Sequence, residues 1–115
     1  MRSPSLNACM ERIAFSGFAW DNANRSKCEE HGVSVAEVEH VLAHAATLVL
    51  PDLKNSRSEP RYLAIGPTTV GRYTFVVFTP RQRRGGIFLR PISARYMHKK
   101  EIKKYEQEIA RVQNR

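Results

Sequence analysis

Three β signals in succession, joined by links too short to hold a crossover helix, constrain this chain more than any other feature. Arg61–Ile65 runs into Gly66-Pro67, Arg72–Thr79 follows Gly71, and Ile87–Arg95 follows Gly85-Gly86. Every residue from Tyr73 to Thr79 is β-branched or aromatic, the composition that packs best on a pleated, half-buried surface. Strands joined this closely run antiparallel, because a parallel return needs a connection of roughly a dozen residues or more. An antiparallel meander is therefore expected. Pro91 lies inside the last of these strands, whose two halves alternate in conflicting phase around it. Proline has no amide for the ladder, so this position predicts either an edge or a bulge.

Helical patterns surround the meander. Ile13, Phe15, Phe18 and Trp20 predict a first strand, interrupted at Gly17. Asp21 or Asn22 can cap a helix running to about Glu30, with Gly32 supplying the left-handed residue that ends it. Ser34 and Glu37 form a capping box ahead of Val35, Val38, Val41, Leu42 and Ala45, which recur at helical spacing. Thr47–Leu50 is a short apolar run stopped by Pro51, and residues 52–60 are polar and loop-like. Ile102, Tyr105, Ile109 and Val112 give one apolar stripe to a lysine-rich C-terminal helix. The expected class is α+β: an antiparallel β-sheet meander flanked by two N-terminal helices and a C-terminal helix. Residues 1–9 read as a flexible leader, and 10–115 as a single domain, which 115 residues are enough to build around one core.

Charge narrows the function. Residues 1–80 hold eight basic and eight acidic side chains, whereas 81–115 hold eleven basic and three acidic, so the whole excess of +8 sits in the last third. Charge polarised in this way points to a polyanionic partner, most often nucleic acid. No stretch approaches the roughly 18 apolar residues of a membrane-spanning helix. Cys9 and Cys28 lack CxxC spacing and read as reduced thiols of a cytoplasmic protein. His40 and His44, four residues apart on the second helix, have no evident third ligand, so no metal and no cofactor is expected.

The basic residues fall into three groups: Arg81, Arg83 and Arg84 at a hairpin tip, Arg90 and Arg95 on the last strand, and Lys99, Lys100, Lys103 and Lys104 at the start of the last helix. Together they are expected to form one concave basic surface for RNA, with Tyr96 available for stacking. The lysines alone fit an ordinary solvated helix face. The arginines beside Ser93, Tyr96 and His98 fit that description less well. Metal-free RNA cleavage needs a group to take the 2′-hydroxyl proton, a cation to stabilise the phosphorane-like transition state, and a group to protonate the leaving oxygen. His98, Arg95, Arg90, Tyr96 and the lysines offer those chemical types. His31, ahead of Gly32, fits a helix-terminating role, and Trp20 fits packing better than base stacking.

Taken in order, Phe18-Ala19-Trp20-Asp21, His31-Gly32-Val33-Ser34, Arg61–Gly66, Phe75–Thr79 and Ile92-Ser93-Ala94-Arg95, with Glu101 and Tyr105 beyond, resemble the BrnT toxin family of bacterial type II toxin–antitoxin systems. The resemblance implies a RelE-like fold and a small cytoplasmic endoribonuclease that inhibits translation. It implies neutralisation by a BrnA-like antitoxin with a ribbon-helix-helix DNA-binding domain, operator DNA being met only through that antitoxin. By resemblance, Arg61, Ser93, Arg95, Glu101 and Tyr105 match motif positions, as do His31 and Trp20, and the candidate catalytic set becomes Arg95, Arg61, Ser93, His98 and Tyr105. The chain departs from the commoner pattern in two places. The Trp20–His31 segment is about one residue shorter, and Pro60 stands where a carboxylate is expected. Two other readings remain: a non-catalytic RNA- or antitoxin-binding module of the same fold, and a DNA-associated structural protein using only its basic face.

Overall fold

A computed structural model describes residues 14–44, 46–52, 54 and 58–113. The expected leader, Ile13 and Ala45 lie outside the described residues. The chain forms β1 (Gly17–Phe18), α1 (Asn22–Glu29), α2 (Val35–Ala43), β2 (Leu48–Pro51), β3 (Tyr62–Pro67), β4 (Tyr73–Arg83), β5 (Gly86–Tyr96) and α3 (Lys99–Gln113). One five-stranded sheet has the order β1-β5-β4-β3-β2. β2 to β5 form the expected antiparallel meander, while β1 runs parallel to β5. The class is α+β, with two helices before the meander and one after it.

Local chemistry accounts for the helix ends. Asp21 accepts from the Asn24 amide at 2.9 Å while Asn24 Oδ1 accepts from the Asp21 amide at 2.7 Å, a reciprocal cap for α1. Ser34 and Glu37 do the same for α2. Gly32 has φ +86°, the left-handed conformation expected of it.

The core lies between α1, α2 and one sheet face. Cys28, Val38, Val41 and Leu42 from the helices meet Ala64, Val76, Phe78, Leu89 and Ala94 from the strands. Each fully buried aliphatic or aromatic side chain there contributes roughly 1.5–3 kcal/mol relative to exposure. Buried Asn24 ties the layers together, donating through Nδ2 to the carbonyls of Ala19 at 3.0 Å and Pro91 at 2.7 Å. Burial raises the Cys28 thiol to about 11, so this cysteine is an inert core residue.

Three local expectations change, and a fourth, at Pro91, is narrowed to one of its two alternatives. β1 is far shorter than predicted, and Gly17, expected to interrupt it, is one of its two residues, where a Cβ would meet the Phe88 ring at 3.0 Å; the chain then turns into the α1 cap. The short run becomes the edge strand β2, antiparallel to β3; it leaves out Thr47 and includes Pro51, which was expected to stop it and instead pairs with Tyr62. β4 continues past Thr79 through Pro80 to Arg83, because β3 ends opposite Phe78 and Pro80 is paired only with Leu89 of β5. Pro91 is fully buried in a strand flanked by both β1 and β4, so it marks a bulge and not an edge. Val77 pairs with Ser93 and Phe78 with Pro91, which leaves Ile92 as the extra residue.

Candidate functional site

The bulge at Ile92 decides where Arg95 points. Successive strand residues face opposite sides, and an inserted residue exchanges the two faces. Leu89 and Pro91 face α1 and α2. Without the insertion Ser93 and Arg95 would face them too. With it, Ala94 and Tyr96 take the core side, and Ser93 and Arg95 emerge on the opposite face. The phase conflict in the sequence is the signature of this exchange.

On that opposite face Arg95 is held on several sides. Its guanidinium donates bidentately to Glu101 at 2.9 and 2.7 Å, and to the Tyr96 carbonyl at 3.3 Å. It also lies 4.5 Å over the Phe75 ring. Glu101 accepts from the His98 amide at 2.8 Å, so one carboxylate both caps α3 and grips Arg95. The guanidinium first, and then that amide, hold Glu101 down at about 2, from an ordinary 4.5. A lowered carboxylate value means that its contribution is complete above about pH 4.5 and is lost as pH falls toward 2. Glu101→Gln is therefore expected to melt below wild type at neutral pH, with the gap closing between pH 4.5 and 2. Thermal melts across that range check this; a gap independent of pH would contradict it.

His98, just before α3, and Lys99, Lys100, Lys103 and Lys104, on the first turns of the helix that carries Glu101, are all exposed. Tyr105 packs edge-on against Tyr73 at 5.6 Å, and burial raises its phenol value, keeping it a neutral O–H. This aromatic pair and the Arg95–Glu101 bridge are the clearest ties between α3 and the sheet, because α3 has no extensive packing with any other element. Half-buried Ser93 lies two residues back along β5, roughly 7 Å from Arg95 on the same face. Arg61 is not brought to this cluster. Arg95 pairs with Phe75, and Phe75 with Ile65, so Arg61 lies two strands across and four residues back, roughly 10 Å by 13 Å away.

The remaining candidates separate further. The Tyr96 hydroxyl donates to Glu37 at 2.8 Å, with the Gly32 carbonyl 3.1 Å away, while Arg72 lies 3.6 Å over its ring. Tyr96 thus sits across the sheet from Arg95, its face already covered. Arg72 was missed as a functional candidate; its signal was an exposed arginine between Gly71 and an aromatic strand. Arg90 pairs with Asp21 at 2.8 Å and Arg81 with Glu59 at 3.1 Å. Exposed Arg83 and Arg84 lie at the far end of β5, roughly 30 Å along the strand from Arg95. The single concave basic surface expected from the sequence is therefore two surfaces, because an eleven-residue strand lies between them. Trp20 donates to Glu39 at 2.8 Å and packs against the core, and exposed His31 lies 3.9 Å from Glu30.

These features define a small α+β domain with cations that meet no carboxylate among the described residues at both ends of one long strand, suited to a polyanion. Residues 20–101 match the family described as the ribonuclease toxin BrnT of type II toxin–antitoxin systems. The chain belongs to this family, and the match spans the fold from Trp20 to the Arg95–Glu101 bridge. It is thus a toxin whose target is RNA and whose partner is an antitoxin. No curated protein matches it. Among the described residues no helix is long and apolar enough to cross a membrane, and no three His, Cys, Asp or Glu side chains gather as a metal site.

Proposed function

We propose that this chain is a cytoplasmic, metal-independent endoribonuclease of RelE-like fold that inhibits translation, with residues 1–9 as a leader and 10–115 as the toxin domain. The observation that carries the proposal is the placement of Arg95. A bulge lifts it from the core onto a face shared with Ser93, beside His98, Tyr105 and four exposed lysines. In the reaction the RNA 2′-hydroxyl loses its proton and attacks the adjacent phosphorus. The 5′-oxygen leaves with a proton, and a 2′,3′-cyclic phosphate remains. Arg95 stabilises the charge developing on the phosphorane. Tyr105, kept neutral, serves as a proton donor, and the exposed His98 imidazole as a proton acceptor. Ser93 orients the RNA, Lys99, Lys100, Lys103 and Lys104 bind its phosphates, and Arg61, two strands away, meets only RNA that extends beyond the Arg95 cluster. Arg81, Arg90 and Tyr96 contribute only where RNA displaces their present partners.

A BrnA-like ribbon-helix-helix antitoxin is proposed to cover the Arg95 face, operator DNA being bound through that antitoxin alone. Acidic or amphipathic segments match this cationic face in charge. Growth arrest on induction, relieved by co-expressing the neighbouring gene, and co-elution of the two products from a size-exclusion column are the expected results. Separate elution at micromolar concentration would contradict the proposed antitoxin. A second reading, an RNA- or antitoxin-binding module without catalysis, is favoured by one observation: Glu101 already engages both terminal nitrogens of the Arg95 guanidinium. Growth arrest without RNA cleavage would support it.

A further inference from the structure

We infer that the β4–β5 hairpin tip is a second RNA-binding surface, separate from the Arg95 end, and that the substrate is an RNA long enough to span both. This rests on the ribonuclease reading above. Arg81, Arg90, Arg95 and Arg111 each meet a carboxylate. Arg83 and Arg84 are exposed and engage no partner among the described residues. Guanidiniums left free in this way are suited to bidentate phosphate contacts.

The tip is also held in place. Arg83 pairs with Gly86, leaving Arg84-Gly85 as a two-residue loop with Gly85 at φ +94°. Ser16 braces this loop, donating through Oγ to the Gly85 carbonyl at 3.1 Å and through its amide to the Ile87 carbonyl at 2.7 Å. Gly86, at φ +130°, leaves room for that brace, since a Cβ there would lie 2.4 Å from Ser16 Oγ. Cations carried on a fixed backbone lose less freedom on binding than cations on a loose loop.

Distance then selects the ligand. The roughly 30 Å along β5 between the tip and Arg95 corresponds to about ten base pairs of a nucleic-acid stem, at about 3 Å of rise each. A rigid stem beside the cleaved nucleotides reaches both surfaces, whereas a tetranucleotide reaches one.

The test compares two uncleavable 2′-O-methyl RNAs, a 20-base-pair stem–loop and a tetranucleotide, on the full chain. Arg83→Ala/Arg84→Ala is expected to weaken stem–loop binding about tenfold at low salt. It should also lower the slope of log affinity against log salt by about 1.5, the loss of two phosphate contacts. Tetranucleotide binding should change less than twofold, while Lys99→Ala/Lys100→Ala weakens both probes. Equal losses on both probes from the tip variant would overturn the inference by making the tip part of one site, and no loss on either would overturn it outright. In those cases wild type still cleaves an unmodified stem–loop, so the ribonuclease reading stands. Wild type that neither binds nor cleaves RNA overturns both.

Discussion

Arg95→Ala is expected to lower RNA cleavage by about two orders of magnitude while the chain stays folded. A cation aimed at charge that develops in the transition state is worth roughly 2.7–4 kcal/mol, by analogy with losing one oxyanion donor, and 1.36 kcal/mol is tenfold in rate. The structural cost is small because the Arg95–Glu101 bridge is partly exposed and screened by solvent. A companion variant separates catalysis from positioning. Glu101→Gln weakens the same bridge, yet it leaves the guanidinium in place and removes a competitor for phosphate. It is expected to retain at least tenfold more cleavage than Arg95→Ala. Lys104→Ala should act mainly on binding, raising KM with little change in kcat. Equal loss of cleavage in Arg95→Ala and Glu101→Gln would show that Arg95 acts only by holding α3. Native cleavage by a natively stable Arg95→Ala would place the site elsewhere. Paired cleavage and melting assays distinguish these outcomes.

Phe78→Ala destabilises the fold by about 3–5 kcal/mol, the range for deleting a buried aromatic ring. Phe78 is 2% exposed, stacks on Tyr62 at 5.6 Å, and pairs with Pro91 at the bulge. Its ring lies where the helical layer meets the strand that changes phase, so the cavity touches both. Against a total stability of about 5–15 kcal/mol, the loss is large. At roughly 4 °C per kcal/mol for a chain of this size, melting should fall by about 12–20 °C. Phe78→Leu, which keeps most of the volume, should cost less than half as much. Urea denaturation measures both, and a loss below 1 kcal/mol for Phe78→Ala would contradict this packing.

Much of the fold was legible in the sequence because its signals are local. The Ser34/Glu37 box, the Gly32 terminator, the turns at Gly71 and Gly85-Gly86, and the Tyr73–Thr79 run act within a few residues, and each holds in the structure. β1 was misjudged because its partner, Phe88, is 71 residues away from Gly17 in sequence, and parallel pairing has no local signal. Pro80 was read as lying beyond its strand because a propensity argument cannot know that β3 stops opposite Phe78.

The candidate site was legible as a set of residue types and not as a place. The sequence showed the phase conflict at Pro91, and that conflict is what exposes Arg95. It could not show that Tyr96, one residue on, is sealed between Glu37 and Arg72 on the other face. The separation of the hairpin tip from the α3 lysines was legible, since the predicted strand Ile87–Arg95 already lay between them, and the expectation of one surface overlooked its length. Composition sums charge along a chain, whereas binding depends on where strand length and register put it.

This chain is proposed to cut RNA by its own side chains, with Arg95 at the centre. The most direct test incubates the purified, antitoxin-free protein with end-labelled RNA in excess EDTA and identifies the new termini. The expected result is cleavage undiminished by the chelator, leaving 2′,3′-cyclic phosphate ends, with Arg95→Ala reduced about a hundredfold under the same conditions. Cleavage that stops in EDTA and returns with a divalent cation, or that leaves 3′-hydroxyl ends, would contradict the account.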